Sequence, residues 1–280
     1  MKFARVSKNG LSGIAIQNGK AVHARLDGND DLDALVAGGE AALAEAFAAI
    51  AAEPTVAESD LTFLPVLARP GKVICLGLNY ADHAAEGGFA VPEFPTIFAR
   101  FASNLIGHGA PILKPTTSEQ LDYEGEMVAV IGKRGRNIAK DKALDHVIAY
   151  SVFNDGSVRD YQLKTPQWTA GKNFDDTGAF GPWLVTADAV PAGGKNLKIE
   201  TRLNGNVMQS ANTSQMIFDV EDTVALLSTF LTLEVGDVLV MGTPSGIGLA
   251  RTPPVFMKPG DTVEVEIEGI GLLRNPIGAA

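Results

Sequence analysis

Two glutamates two residues apart, Glu124 and Glu126, stand in the run Asp122-Tyr123-Glu124-Gly125-Glu126-Met127-Val128-Ala129-Val130-Ile131-Gly132. The run reads as a strand, and alternation along a strand turns both acids to the side shared by Val128 and Val130. Carboxylates leaning into an interior are costly unless a cation compensates them, and no Lys or Arg follows in the run before Lys133. A divalent metal ion is the natural compensator. A third acid, Asp155, ends a second β-favouring run, Ala149 to Gly156, whose Asn-Asp-Gly close is turn chemistry. Three monodentate oxygen ligands without histidine or thiol favour a hard ion that keeps several waters, Mg²⁺ or Mn²⁺ over Zn²⁺ or Cu²⁺, with positions left for a substrate. Taken alone, the Glu-x-Glu pair reads more readily as the wet face of an edge strand; neighbouring motifs shift that balance.

His83 and Glu86 are three apart in Asn79-Tyr80-Ala81-Asp82-His83-Ala84-Ala85-Glu86-Gly87-Gly88, a spacing that brings side chains together on one helical turn. A carboxylate beside an imidazole raises its basicity and fixes its tautomer, which suits a general base near neutral pH. Gly87 and Gly88 would let this segment move as a lid. Lys172 reads as part of a loop rich in Gly and aromatics, where it could stabilise a developing enolate or oxyanion. Thr243, in the turn after the apolar run Val238 to Met241, could donate a hydrogen bond to a ligand carboxylate. Each has a plainer alternative: a surface histidine, a solvated loop cation, a structural turn.

In order and approximate spacing these motifs resemble the fumarylacetoacetate hydrolase (FAH) family: Asn79-Tyr80 with His83 and Glu86, Asp122 to Glu126, Phe153-Asn154-Asp155 with Arg159-Asp160 and Gln162, Gly171-Lys172, and Gly242 to Gly246. The likeness covers roughly Arg69 to the C-terminus. It implies an α+β, predominantly β fold, an FAH-like mixed β-sandwich/roll catalytic domain, a Mg²⁺ or Mn²⁺ cofactor and a homodimer. It makes Glu124, Glu126 and Asp155 the metal ligands, His83 with Glu86 the water-activating dyad, and Lys172 the electrostatic partner of the reacting oxygens. Gln162 and Thr243 look like substrate contacts. Arg100, a further expected substrate contact, falls where members often carry a basic residue, in many of them Lys, and Arg159 either binds a substrate carboxylate or buttresses the ligand loop.

The expected function is metal-dependent hydrolysis of a carbon–carbon bond in an acylpyruvate-like or 2,4-diketo acid by activated water. A decarboxylase, tautomerase or dehydratase acting on a 2-keto acid is the alternative at the same site. A non-catalytic metabolite-binding protein is the rival outside enzymes.

The elements that must hold these residues are mostly short β-rich runs separated by Gly and Pro. Residues 1–68 read as a small N-terminal α/β domain, with Asn18-Gly19 as a hairpin turn and an alanine-rich helical stretch from about Asp31 to Ala52, split at Gly38-Gly39. Residues 69–280 form the expected catalytic domain. One helix stands out there, capped by Asp219, with Val224, Leu227, Phe230 and Leu231 as its apolar side. Val263 to Glu268 alternates apolar and acidic residues as a half-exposed strand does, so its acids stay outside the site.

With 280 residues, 46% of them hydrophobic, the chain can bury a large core, and no apolar run is long enough to span a bilayer. A net charge of −10 opposes a nucleic-acid surface and makes the local cations Arg100, Arg159 and Lys172 notable for an acidic substrate. The lone Cys75 sits in an apolar run and reads as a buried thiol. The N-terminus lacks a signal-peptide core, and the expected compartment is the cytoplasm.

Overall fold

The structure is a computed structural model that describes residues 1–86, 88 and 90–280. Gly87, half of the expected lid hinge, lies outside the described residues.

Two sheets form the framework. Across the larger one, of 11 strands, the main path runs Ala21–Arg25, Leu11–Asn18, Lys2–Lys8, Gly178–Thr186, Val147–Asp155, Gly125–Ile131, Val238–Val240, Val73–Gly77 and Thr96–Arg100. The smaller has five, in the order Asn206–Asn212, Lys198–Leu203, Thr262–Ile267, Gly271–Ala279 and Ile112–Lys114. The fold is mostly strand with few helices, as the sequence predicts. No helix among the described residues is long and apolar enough to cross a membrane.

Strand alternation builds two cores from one strand. In Gly125–Ile131 every residue is buried. Met127, Ala129 and Ile131 join a cluster with Ile199, Val263, Val265 and Leu273 of the smaller sheet. Val128 and Val130 face the other way, into a cluster with Phe3, Ile16, Phe153 and Phe180. The second cluster is covered by the helices Leu32–Ala37 and Gly39–Ala51, through Leu32, Val36, Leu43 and Ile50. The break between those helices falls where the sequence places it, with Gly39 at φ 74°. The N-terminal segment extends the main sheet, because Lys2–Lys8 pairs antiparallel with Gly178–Thr186 through Phe3 opposite Leu184.

Three local expectations change. The strand expected from Asp122 begins at Gly125, because the Asn154 side-chain oxygen accepts the Glu124 N–H at 3.0 Å while Leu121–Asp122 pairs separately with Ser157–Val158. Lys172 is not in a loop but ends the helical turn Thr169–Lys172. The Val220–Phe230 helix is capped as expected, Asp219 accepting from Asp222 N at 2.8 Å, yet Phe230 is 47% exposed at its C-terminal end and only Val224 and Leu227 of the four expected residues are buried.

Candidate active site

Glu124, Glu126 and Asp155 converge. Cross-strand register sets Glu126 opposite Phe153, and Asp155 N donates to Glu124 O at 2.9 Å, so the three acids share one patch of the sheet. They are all buried, and one oxygen of each lies within 4.8 Å of the others. Gly125 between the two glutamates lets the smaller sheet close behind them, since a Cβ there would stand 2.1 Å from Thr201 Oγ1.

Buried cations answer two of the three. Lys172 Nζ donates to Glu124 Oε2 at 2.6 Å and to Asp155 Oδ2 at 2.7 Å. Arg159 Nη1 donates to Glu124 Oε1 at 2.6 Å, and its Nε to Asp122 Oδ2 at 2.8 Å. Arg100 pairs with Asp155. Among the described residues no cation pairs with Glu126, whose carboxylate accepts instead from Gly242 N at 2.5 Å. Burial, compounded by the charges of Asp155 and Glu124, pushes the Glu126 carboxyl well above its ordinary range. For Glu124, burial is outweighed by Lys172 and Arg159, and the group is held down at about 2. Burial would lower Lys172, but Asp155 and Glu124 more than restore it, so the ammonium stays charged.

Four carboxylates, counting Asp122, thus face three cations. A hard divalent ion fits this all-oxygen donor set and would supply the charge that Glu126 lacks.

One loop positions the acids from the far side. Gly242 N donates to Glu126, Gly246 N to Glu86 Oε2 at 2.7 Å, and Gly248 N to Asp122 Oδ1 at 2.8 Å. A Cβ at Gly246 would meet Met208 O at 2.2 Å and one at Gly248 would meet Val255 O at 1.8 Å, so the loop admits no side chain at either place.

His83 and Glu86 stand on the helical turn Ala81–Glu86, with Nδ1 of His83 3.5 Å from Glu86 Oε1. Burial tends to raise Glu86, but the contact with His83 and the Gly246 N–H hold its carboxyl below the usual range. His83, Glu124, Glu126, Arg159, Gln162, Lys172 and Thr243 line one cavity of about 190 Å³, walled by Leu78, Phe98, Trp168 and Ile247. Leu78 holds a left-handed φ of 58° at this wall, an uncommon conformation for a branched side chain.

Most of the site residues predicted from sequence therefore meet around one cavity. Asp155 and Glu86 are not part of its lining, Asp155 being bonded to Lys172 and Glu86 touching His83, while Arg100 points elsewhere: it donates to Asp155, Gly156 O, Asn104 Oδ1 and Thr177 Oγ1, and it does not line the cavity. That places it behind Asp155 instead of on the cavity wall. Thr243 does not donate to a ligand carboxylate: its hydroxyl donates to Gly125 O at 3.0 Å and accepts from Gln209 Nε2 at 2.8 Å. Arg159 buttresses Glu124 and also lines the cavity, and its buried Nη2 has no partner among the described residues.

Three residues were missed. Asp122 accepts from Arg159, Gly248 N and Leu249 N. Gln209 grips Gly125 N at 3.0 Å. Asn79, quoted only as part of a motif, ties its segment to Met241 and Phe218. The partners of Gln209 and Asn79 are mostly backbone groups of distant segments, which leave no spacing signal.

The family model described as fumarylacetoacetate (FAA) hydrolase C-terminal matches residues 72–278. This chain belongs to the fumarylacetoacetate hydrolase family. Among its relatives, the oxaloacetate tautomerase Fahd2a, mitochondrial, of Rattus norvegicus is 46% identical over 241 residues, covering 85% of this chain and 77% of the relative. A fumarylacetoacetate hydrolase from Exiguobacterium antarcticum superposes with a TM-score of 0.88 at 34% identity, covering both chains in full. A 5-carboxymethyl-2-hydroxymuconate delta-isomerase from Mycobacterium smegmatis does so at 0.77 and 28% identity, again covering both chains in full. The family thus holds enzymes named for proton shifts as well as for hydrolysis, and the site described here is that of an enzyme family.

Proposed function

We propose that this protein is a Mg²⁺- or Mn²⁺-dependent tautomerase that interconverts the enol and keto forms of a small 2-keto diacid of the oxaloacetate type. The observation that carries the reading is the 46% identity, across most of both chains, to a protein named as an oxaloacetate tautomerase. The cavity agrees with it: enol–keto exchange moves one proton between carbon and oxygen, and so asks for one base, a cationic oxygen site and dry walls.

Glu124, Glu126 and Asp155 would hold the ion, which when bound polarises the substrate's carbonyl and carboxylate oxygens. His83 takes the proton from the carbon beside the carbonyl and returns it to oxygen, or the reverse. Glu86 fixes the His83 tautomer and is itself fixed by Gly246 N. Lys172 uses two of its three donors on Glu124 and Asp155 and has the third for the developing enolate oxygen. The free Nη2 of Arg159 and the Gln162 amide suit a substrate carboxylate. Leu78, Phe98, Trp168 and Ile247 keep water from protonating the enolate at random.

A second reading, hydrolysis of an acylpyruvate, has the His83–Glu86 contact in its favour, because the same dyad can activate a water. Enol oxaloacetate is offered with Mg²⁺, with Mn²⁺ or with chelator; the enol absorbance is followed and the products are identified by NMR. The expected result is metal-dependent enol loss beyond the buffer rate with oxaloacetate as the sole product, slowed ~10² to 10⁴-fold by His83→Ala. No acceleration, together with cleavage of a 2,4-diketo acid into two acids, replaces tautomerisation with hydrolysis. The reading also includes a homodimer, which light scattering would report as twice the chain mass.

A further inference from the structure

The peptide between Met241 and Gly242 is engaged at both polar atoms. Its N–H donates to Glu126 Oε2 at 2.5 Å, and its C=O accepts from Asn79 Nδ2 at 2.7 Å. A bond accepted at a carbonyl polarises the amide and strengthens donation at its N–H. Asn79 is fully buried and committed elsewhere too: Nδ2 donates to Phe218 O at 3.0 Å, Oδ1 accepts from Phe218 N at 2.8 Å, and its own carbonyl accepts from Ile217 N at 2.8 Å. The approach is close enough to demand glycine. Gly242 has φ +88°, and a Cβ there would stand 2.6 Å from Asn79 Cβ.

Glu126 depends on this peptide more than its neighbours depend on any backbone group. Lys172 and Arg159 orient Glu124, and Lys172 and Arg100 orient Asp155, whereas among the described residues the Gly242 N–H is the donor that reaches the Glu126 carboxylate. Asn79 also lies just ahead of His83 in the chain and so joins the dyad's segment to this acid.

We propose that Asn79 is a positioning residue that fixes the Glu126 carboxylate through the Met241–Gly242 peptide and thereby sets the affinity of the metal site. The inference rests on the reading of Glu126 as a metal ligand. Removing the Asn79 amide frees the Met241 carbonyl, loosens the Gly242 N–H and lets the carboxylate turn.

Manganese binding, followed by the loss of the free-ion EPR signal, tests it on the wild type, Glu126→Gln, Asn79→Ala, Asn79→Ser and Asp219→Ala, the last a helix-cap variant that lowers stability away from the site. Tight binding by the wild type and Asp219→Ala, loss in Glu126→Gln and a roughly tenfold or greater weakening in both Asn79 variants is the expected pattern. Asn79 variants that bind as the wild type does, while Glu126→Gln does not, overturn the inference alone. A wild type that fails to bind, or a Glu126→Gln that binds normally, overturns the metal-ligand reading and the inference with it. Should neither Asn79 variant fold, the unaltered protein still gives an answer. Met241-Gly242 is the chain's single Met-Gly pair, so carbonyl-¹³C methionine with ¹⁵N glycine isolates that amide by NMR. A downfield, slowly exchanging Gly242 proton supports the relay, and an ordinary, fast-exchanging one overturns it.

Discussion

Arg100 separates two kinds of site residue that look alike in a sequence. A basic residue near an acidic cluster suggests contact with an acidic substrate, but here the guanidinium is buried and spends its donors on Asp155, Gly156 O, Asn104 and Thr177. Removing one partner of a buried ion pair leaves a charge without compensation and costs about 3–5 kcal/mol. Arg100→Ala is therefore expected to lose stability on that scale in urea unfolding, with Arg100→Lys between it and the wild type. A substrate contact would behave otherwise, raising KM while leaving the unfolding curve in place. The convergence of Glu124, Glu126 and Asp155 and the His83–Glu86 contact were legible because residue type and short spacing carry them. The destination of Arg100's donors was not, because Thr177 and Gly156 are brought to it only by the pairing of Val147–Asp155 with Gly178–Thr186.

At the scale of elements, the strand bearing Glu126 and the split N-terminal helices could be read from alternation and from glycine. What stands behind a strand could not. Between the two acids Gly125 lies against Lys198–Leu203 and Thr262–Ile267, with Thr201 Oγ1 at 2.1 Å and Val265 Cγ1 at 2.9 Å from an added Cβ. Overpacking of this kind typically costs ~1–3 kcal/mol, and here the first obstacle is a side chain that can be shortened. Gly125→Ala is expected to destabilise by at least that much and to weaken metal binding, because Glu124 and Glu126 shift with it. Thr201→Ala in the same chain should recover part of both losses, with Val265 still in the way. Additive effects in a double-mutant cycle of unfolding free energies would show that the two residues do not meet.

Over the whole molecule, the β-rich class was legible from many short runs. The strand order was not, because pairings such as Lys2–Lys8 with Gly178–Thr186 join distant parts of the chain. That assembly buries an excess of negative charge within a chain already at −10, and the excess has a pH signature. In the metal-free protein the folded-state pKa of Glu126 lies well above its ordinary value, through burial first and then Asp155 and Glu124. A carboxyl raised on folding contributes stability that is whole below its unfolded pKa, roughly 4.3, and is lost as pH rises toward the folded value. Glu124, held down at about 2, works in the opposite sense but only at the acid end, below the unfolded value. Above the unfolded value the Glu126 trend is therefore the one that remains of the two, and a divalent ion that pairs with the ionised carboxylate opposes it. At a hundredfold excess over its dissociation constant a ligand stabilises by ~2.7 kcal/mol, equivalent to several degrees in a chain of this size. Adding Mn²⁺ should accordingly raise the melting temperature, and at fixed total metal the increment should grow from pH 5.5 to pH 8. Differential scanning calorimetry with and without chelator measures both. In Glu126→Gln the metal increment should shrink and its pH slope flatten, since the titrating oxygen is gone; an increment that stays as large and as steep would place the ion elsewhere.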